Sequence, residues 1–338
     1  MKGKHHVLIE TKRIKYEFDI KRNITIIQGD SATGKTTLVN MLFEYATQRG
    51  RTGMILQSDA PCVVFQPSNG NWKDELALIK DSIIFIDEQY TFIRSKEFAD
   101  AIKETSNYYV LITRWSLPTL PYSIKEIYGI RTTGKYHYPD QIYHEFYPIY
   151  PEETNTSRPS KSRILITEDG NSGFQFFKNT LTGVECFSAN GNSQVFEFVK
   201  KYSNQYDISV IADGAAFGAF IRELYIIKKE NPQTTLFFPE SFEWMILKSG
   251  ILSSERIDSI LQRPEDYIES SEFFSWERFF TALLTSETSN DRYKAYKKED
   301  LSNFYLEGKN AKSILSLLPD GFIQSMPVQV GGGDHVYN

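Results

Sequence analysis

The chain has 338 residues, of which 41% are hydrophobic and 24% are charged, and its formal net charge is −5. This length allows two domains, and no apolar run reaches the roughly 18 residues of a membrane helix, so no membrane partner is expected. The modest negative charge argues against broad, nonspecific nucleic-acid binding, and two cysteines are too few for a disulfide framework, so we expect a cytoplasmic protein.

A glycine-rich segment early in the sequence is flanked by a strand pattern and a helix pattern. The runs 7–9 and 14–18 alternate apolar with polar residues and predict a β-hairpin ahead of it. Residues 24–28 form a β-branched run that predicts a buried strand, and residues 35–45 carry apolar side chains at helical spacing. Strand, glycine loop and helix therefore follow one another in the order of a phosphate-binding loop.

The glycine segment fits the pattern G-x-x-x-x-G-K-[ST], which predicts nucleotide binding. Its backbone N–H groups and the positive end of the following helix dipole would converge on a phosphate. Lys35 would reach the β- and γ-phosphates, and the Thr36 hydroxyl would bind Mg²⁺. The alternative is a chance Gly-Lys-Thr turn, which the flanking elements disfavour. We therefore expect ATP and Mg²⁺ as ligands, with a binding loop formed by Gly29, Asp30, Ser31, Ala32, Thr33, Gly34, Lys35, Thr36 and Thr37.

A second apolar strand that ends in two carboxylates follows further along the chain. The runs 54–57 and 62–65 predict strands before it. Residues 82–86 are followed by Asp87 and Glu88, an arrangement typical of a Walker B motif. Asp87 would hold Mg²⁺ through its water shell, and Glu88 would orient or deprotonate the attacking water. The alternative is a pair of exposed carboxylates that begins a loop.

A third buried strand pattern, residues 108–112, ends in the polar residues Thr113 and Arg114. In the additional-strand class of P-loop ATPases, which this arrangement resembles, a strand next to Walker B ends in a polar sensor of the γ-phosphate. The resemblance implies that Thr113 or Arg114 has this role, and we assign Arg114 to the catalytic set with Lys35 and Glu88. Arg114 as a structural salt-bridge partner is an equal alternative.

The opening of the chain also resembles the ATP-binding-cassette group. However, no Leu-Ser-Gly-Gly-Gln-like signature lies between Lys35 and Asp87, and this interval is too short for the helical subdomain of a transporter ATPase. The sequence therefore predicts a compact ATPase core and excludes the transporter version.

The first domain, residues 1–150, is expected to close with a tyrosine-rich β-hairpin over residues 122–150. We place its turn at Thr133-Gly134-Lys135. Half-buried packing is the favoured role of these tyrosines, with nucleic-acid base stacking beside residues such as His144 as the alternative. Residues 151–162 contain no large apolar side chain and predict a linker.

A second α/β domain is predicted over residues 163–250. The strand patterns 164–167, 184–187, 208–212 and 235–238 alternate with helix patterns, which predicts a parallel sheet. Glu168 follows the first strand and Asp213 the third, at the edge where α/β sites form. This spacing resembles a Toprim domain and implies that Glu168 and Asp213 bind Mg²⁺.

The later Toprim motif is Asp-x-Asp, whereas this sequence reads Asp213-Gly214-Ala215, so Glu240 or Glu243 would have to supply the second acid. Three interpretations remain open for this domain: a degenerate, non-catalytic Toprim-like domain, an active metal nuclease, or an unrelated flavodoxin-like sheet.

A helical extension over residues 251–320 and a flexible tail over 321–338 complete the predicted organisation. Within the extension, the segment 293–298 is basic and aromatic, but Glu299 and Asp300 follow at once, and we interpret it as a solvated face.

The order of an ATPase followed by a Toprim-like domain resembles the overcoming-lysogenization-defect family of ATPase-nucleases, which act in phage defence and in mobile elements. The resemblance implies a nucleotide-driven switch that acts on or with nucleic acid or a partner effector, within a homo-oligomer or a heteromeric complex. Two other classes stay open: a small-molecule kinase, and a non-hydrolysing nucleotide-binding scaffold.

Overall fold

The computed structural model describes residues 1–29, 33–48, 53–68, 70–137, 141–151, 162–320 and 322. The chain forms two compact units. The first unit contains residues 1–151 and 262–276, and the second contains residues 152–261 and 277–338. The predicted linker and tail fall almost entirely outside the described residues. No helix in the described ranges is long and apolar enough to cross a bilayer.

The first unit contains a large mixed sheet. Its strands within the described ranges are β1 (His5–Glu10), β2 (Ile14–Ile20), β3 (Ile24–Ile27), β4 (Ile55–Ser58), β5 (Cys62–Val64), β6 (Ile83–Ile86), β7 (Tyr108–Ile112), β8 (Ile127–His137) and β9 (Gln141–Pro148). They lie in the order β4-β1-β2-β9-β8-β3-β7-β6-β5. The pairs β3–β7, β6–β7, β5–β6, β3–β8 and β2–β9 are parallel, whereas β1 pairs antiparallel with β2 and β4, and β8 with β9.

The centre of this sheet forms the core of the first unit. Every residue of β3, β6 and β7 is buried, as expected for parallel strands whose two faces are both covered. The strand β7 lies between β3 and β6 and is parallel to both, so the carboxyl ends of all three strands meet at one edge of the sheet. The helices of this unit are α1 (Lys35–Gln48), α2 (Trp72–Ala77) and α3 (Lys96–Ile102), with 3₁₀ turns at Thr91–Arg94, Ile124–Glu126 and Pro264–Asp266.

The turn predicted at Thr133-Gly134-Lys135 is wrong. The strand β8 continues through these residues to His137, and its pairing with β9 shifts register between Thr132 and Tyr136. A glycine within a strand is as compatible with a bulge as with a turn, and sequence alone does not distinguish the two.

Residues 262–276 return to the first unit rather than joining one helical extension over 251–320. The Asn23 side-chain amide donates to the Phe273 carbonyl oxygen at 2.9 Å and anchors this segment beside β3. Because such a return depends on contacts between residues far apart in sequence, helical periodicity could not reveal it.

The second unit has a parallel sheet, as predicted. Its strands are β10 (Arg163–Thr167), β11 (Glu185–Ser188), β12 (Asp207–Ile211) and β13 (Thr235–Phe237), in the order β11-β10-β12-β13. Helices alternate with the strands and then follow them: α4 (Ser172–Thr180), α5 (Asn192–Tyr202), α6 (Ile221–Glu230), α7 (Phe242–Lys248), α8 (Glu255–Gln262), α9 (Trp276–Thr288), α10 (Asn303–Leu306) and α11 (Gly308–Leu315), with a 3₁₀ turn at Gly218–Phe220. The described part of the chain is therefore a mixed α/β protein.

Candidate functional site

The glycine loop of the first unit connects the end of β3 to the start of α1. Gly29 has φ +139° and Gly34 has φ +98°, backbone conformations that residues with a side chain rarely adopt. The helix α1 begins at Lys35, so its unpaired N–H groups and the positive end of its dipole lie at this loop. The predicted loop residues 30–32 lie outside the described residues.

Lys35 is 7% exposed and turns its side chain back across the loop. Its ammonium group donates to the Gly29 carbonyl oxygen at 2.7 Å and to Thr33 Oγ1 at 3.2 Å. Both acceptors are neutral, and phosphate oxygens would form stronger, charge-assisted hydrogen bonds with the same ammonium. The lysine is therefore positioned to exchange these loop contacts for contacts with a phosphate.

An aromatic pair from β2 and β9 closes one side of the loop. Tyr16 Oη donates to the Gly34 carbonyl oxygen at 2.9 Å, and the Tyr16 ring stacks on His144 with centroids 4.6 Å apart. Burial raises the pKa of Tyr16 to about 12, so this hydroxyl keeps its proton near neutral pH. Desolvation lowers the pKa of His144 below its usual range, which favours the neutral imidazole. Sequence reasoning did not connect either side chain with the glycine loop.

Gly34→Ala is expected to destabilise the protein by about 1–3 kcal/mol. A Cβ at this position would lie 2.7 Å from Tyr16 Oη, in a backbone conformation that alanine rarely adopts. Urea denaturation of Gly34→Ala, Tyr16→Phe and the double variant separates the two causes, because phenylalanine removes the clashing oxygen. Partial recovery in the double variant is the expected outcome, and a fully stable Gly34→Ala protein would contradict the close approach.

The predicted carboxylates and arginine lie at the carboxyl ends of β6 and β7. Arg114 Nε donates to Glu88 Oε2 at 3.0 Å, with side chains that are 54% and 36% exposed. Asp87 is half-buried, and its Oδ1 accepts from the Glu88 backbone N–H at 2.7 Å. Thr113 is buried, and its hydroxyl exchanges hydrogen bonds with the Trp115 backbone. Of the two predicted sensor positions, Arg114 is the more exposed.

One cavity of about 560 Å³ brings most of these groups together. Residues 33–37 of the glycine loop form one wall of the cavity, and Glu88 and Arg114 contribute another. Its remaining lining residues are Ile14, Tyr16 and His144. Gly29 and Asp87 are not among the lining residues; Gly29 lies two residues after β3, and Asp87 directly follows β6. Residues in or after five strands, β2, β3, β6, β7 and β9, therefore line this one cavity.

The second predicted site lies at the carboxyl edge of the parallel sheet in the second unit. Glu168 follows β10 and Asp213 lies after β12, and the Asp213 backbone N–H donates to Glu168 Oε2 at 3.0 Å. When the oxygen and nitrogen of the Asn192 side-chain amide are swapped, its nitrogen faces Glu168. In this orientation it donates to Glu168 Oε1 at 2.8 Å and to Oε2 at 2.6 Å. Ala215, which stands at the second acid of the Asp-x-Asp pattern, is buried. Within the described ranges, no group of three or more His, Cys, Asp or Glu side chains is arranged to hold a metal ion.

Stability of the second unit is expected to fall as pH rises from about 5 to about 8. Burial raises the pKa of Glu168 from 4.5 to about 8, so the folded protein retains a proton that the unfolded chain releases. The stabilisation from this proton is therefore fully present below the pKa of Glu168 in the unfolded chain, and it is lost as the pH rises through the pKa of Glu168 in the folded protein. Urea denaturation across this pH range should give a shallower slope for Glu168→Gln, whereas the exposed control Glu185→Gln should match wild type. An unchanged slope in Glu168→Gln would contradict the assignment.

No family model matches this chain, and no curated protein matches it. Its function is therefore inferred from the residues that the two sites bring together.

Proposed function

We propose that the first unit binds ATP with Mg²⁺ and hydrolyses the ATP, as a compact P-loop ATPase core. The observation that carries this proposal is the single cavity lined by residues 33–37, Glu88 and Arg114. A phosphate-binding loop, a carboxylate and an arginine at one surface are the groups that nucleotide hydrolysis needs.

The residues of the site fit a nucleotide and its metal ion. The cavity volume of about 560 Å³ is within the range of about 300–1,000 Å³ typical of small-molecule sites. The start of α1 and the Lys35 ammonium would bind phosphate oxygens. Thr36 and Asp87 would hold Mg²⁺, since hydroxyl, carboxylate and water oxygens are its preferred ligands. When bound, Mg²⁺ would neutralise negative charge on the phosphates.

Glu88 and Arg114 have complementary roles in this proposal. Glu88 would orient the attacking water and accept its proton, and Arg114 would stabilise the negative charge of the transferred phosphoryl group. Their ion pair at 3.0 Å is exposed, and such pairs contribute only about 0–1 kcal/mol. A bound γ-phosphate could therefore draw Arg114 away and release the Glu88 carboxylate.

The strand order supports the additional-strand class of P-loop ATPases. The strand β7, which ends next to the proposed sensor, lies between the strand of the glycine loop and the strand that precedes Asp87. A four-stranded parallel unit follows in the chain, which is compatible with the Toprim-like resemblance. We extend the proposal to a nucleotide-driven switch that acts with nucleic acid or a partner effector, in the manner of phage-defence ATPases.

Phosphate release from ATP by the purified full chain tests this function. With Mg²⁺ and no acceptor molecule, the ATPase proposal predicts steady phosphate release that EDTA abolishes. A small-molecule kinase would release little phosphate until its acceptor was added. A non-hydrolysing scaffold would keep intact ATP bound after gel filtration. Either of these two results would refute the proposed hydrolysis.

A further inference from the structure

The second unit contains a cluster of four acidic side chains and one lysine, none of which lines the cavity of the first unit. It contains the carboxylates of Glu168, Asp213, Glu243 and Glu277 and the ammonium of Lys298, and we call it the carboxylate network. Its members, except Glu277, line a small cavity of about 30 Å³, roughly the volume of one water molecule. Four acids grouped around one base, partly removed from water, are unfavourable unless their charges are compensated.

Most of the carboxylate oxygens already accept hydrogen bonds from the protein. The Asp213 backbone N–H donates to Glu168 Oε2, and the Asn192 amide nitrogen, in its swapped orientation, donates to both oxygens of Glu168. Asp213 Oδ1 accepts from the Phe242 N–H at 3.2 Å. A metal ion would have to share these oxygens with donors that the fold already directs at them.

Glu243 is the member of the carboxylate network that has one oxygen with a hydrogen bond and one without. Its side chain is fully buried, and Oε1 accepts from Tyr296 Oη at 2.6 Å. Its other oxygen, Oε2, is buried and has no hydrogen-bond partner among the described residues. A buried carboxylate oxygen without a donor is unfavourable, and a positive charge nearby would compensate it.

Lys298 supplies that positive charge. It is the only basic side chain among the described residues that line the small cavity. Its ammonium lies 3.1 Å from Glu277 Oε1. Burial alone would lower the pKa of Lys298, but the neighbouring acids Glu277, Glu243 and Asp213 raise it above its ordinary value, so the ammonium is charged throughout the physiological range.

We propose that Lys298 is the resident cation of the carboxylate network and takes the place that a divalent metal would occupy. The consequence is that the second unit works without a bound metal, as a module that does not cleave phosphodiesters. A divalent cation would enter this site only against the positive charge of the lysine.

Chemical rescue by Mn²⁺ in the absence of nucleotide tests this proposal. Lys298→Met should lower the melting temperature of the full chain by about 5 °C, because it leaves the acids without their counter-charge. Millimolar Mn²⁺ should restore most of this loss in Lys298→Met and should leave the wild type unchanged. Lys297→Met, at the neighbouring exposed position, should match the wild type with and without Mn²⁺.

The double variant Lys298→Met/Asp213→Asn identifies the ligand of the rescuing ion, and it should gain no stability from Mn²⁺. A Lys298→Met protein that Mn²⁺ does not rescue would overturn the proposal. Should Lys298→Met fail to fold, calorimetric titration of the wild type and Asp213→Asn with Mn²⁺ decides the question. Equal binding by the two proteins supports the proposal, and wild-type binding that Asp213→Asn abolishes overturns it.

Discussion

Lys35→Ala is expected to weaken ATP binding by at least about 100-fold and to abolish hydrolysis. The variant removes the buried ammonium of the glycine loop, and each charge-assisted hydrogen bond to a phosphate contributes about 1.5–3 kcal/mol. Equilibrium dialysis with labelled ATP and Mg²⁺ measures the dissociation constant directly.

A matched control for this prediction is Lys80→Ala, which removes an exposed lysine of the same unit. It should bind ATP as the wild type does. Circular dichroism should show that both variants are folded, because the Lys35 contacts with Gly29 and Thr33 lie within one loop. Wild-type affinity in folded Lys35→Ala would mean that this loop does not bind the nucleotide.

Glu88→Gln is expected to slow ATP hydrolysis by about 10²–10⁴-fold while ATP remains bound. Glutamine has nearly the same shape and can still accept the hydrogen bond from Arg114, so the wall of the cavity should be preserved. The amide cannot take a proton from the attacking water at neutral pH, and the defect should therefore be in turnover rather than in affinity. Single-turnover kinetics with labelled ATP separates the chemical step from binding.

Glu104→Gln, which alters an exposed acid after α3, serves as the control for this change and should hydrolyse ATP at the wild-type rate. Should Glu88→Gln also hydrolyse at that rate, the assigned role of Glu88 would be wrong.

The glycine loop and the strands around it could be predicted because their signals are local. Residues 24–37 contain a buried strand, two constrained glycines and a helix start in one continuous stretch. Glu88 and Arg114 each follow an apolar run, and the ends of neighbouring parallel strands meet at one edge. A structural salt bridge is one of the two alternatives that the sequence leaves open for Arg114, but the sequence does not identify Glu88 as the partner, since it gives no distance between two strand ends.

The remaining lining of the cavity depends on long-range pairing. Tyr16 and His144 meet because β2 pairs in parallel with β9, although more than a hundred residues separate them. Periodicity identifies each strand but does not give the order of strands in a sheet. The same limit applies to residues 262–276, which pack on the first unit.

The interpretation of residues 293–298 as a solvated face is wrong for two of its members. Tyr296 is buried and bonds to Glu243, and Lys298 is half-buried beside Glu277. A charge pattern cannot distinguish an exposed lysine from one that faces buried acids, because those acids come from distant elements. The carboxylate network therefore became visible only in the folded chain.

Bound nucleotide and released phosphate, measured in the same sample of wild type and Glu88→Gln after incubation with ATP and Mg²⁺, test the central claim most directly. The ATPase account predicts continuous phosphate release by the wild type, and intact ATP retained without phosphate release by Glu88→Gln. Equal phosphate release by the two proteins, or none by either with ATP bound to both, would contradict it.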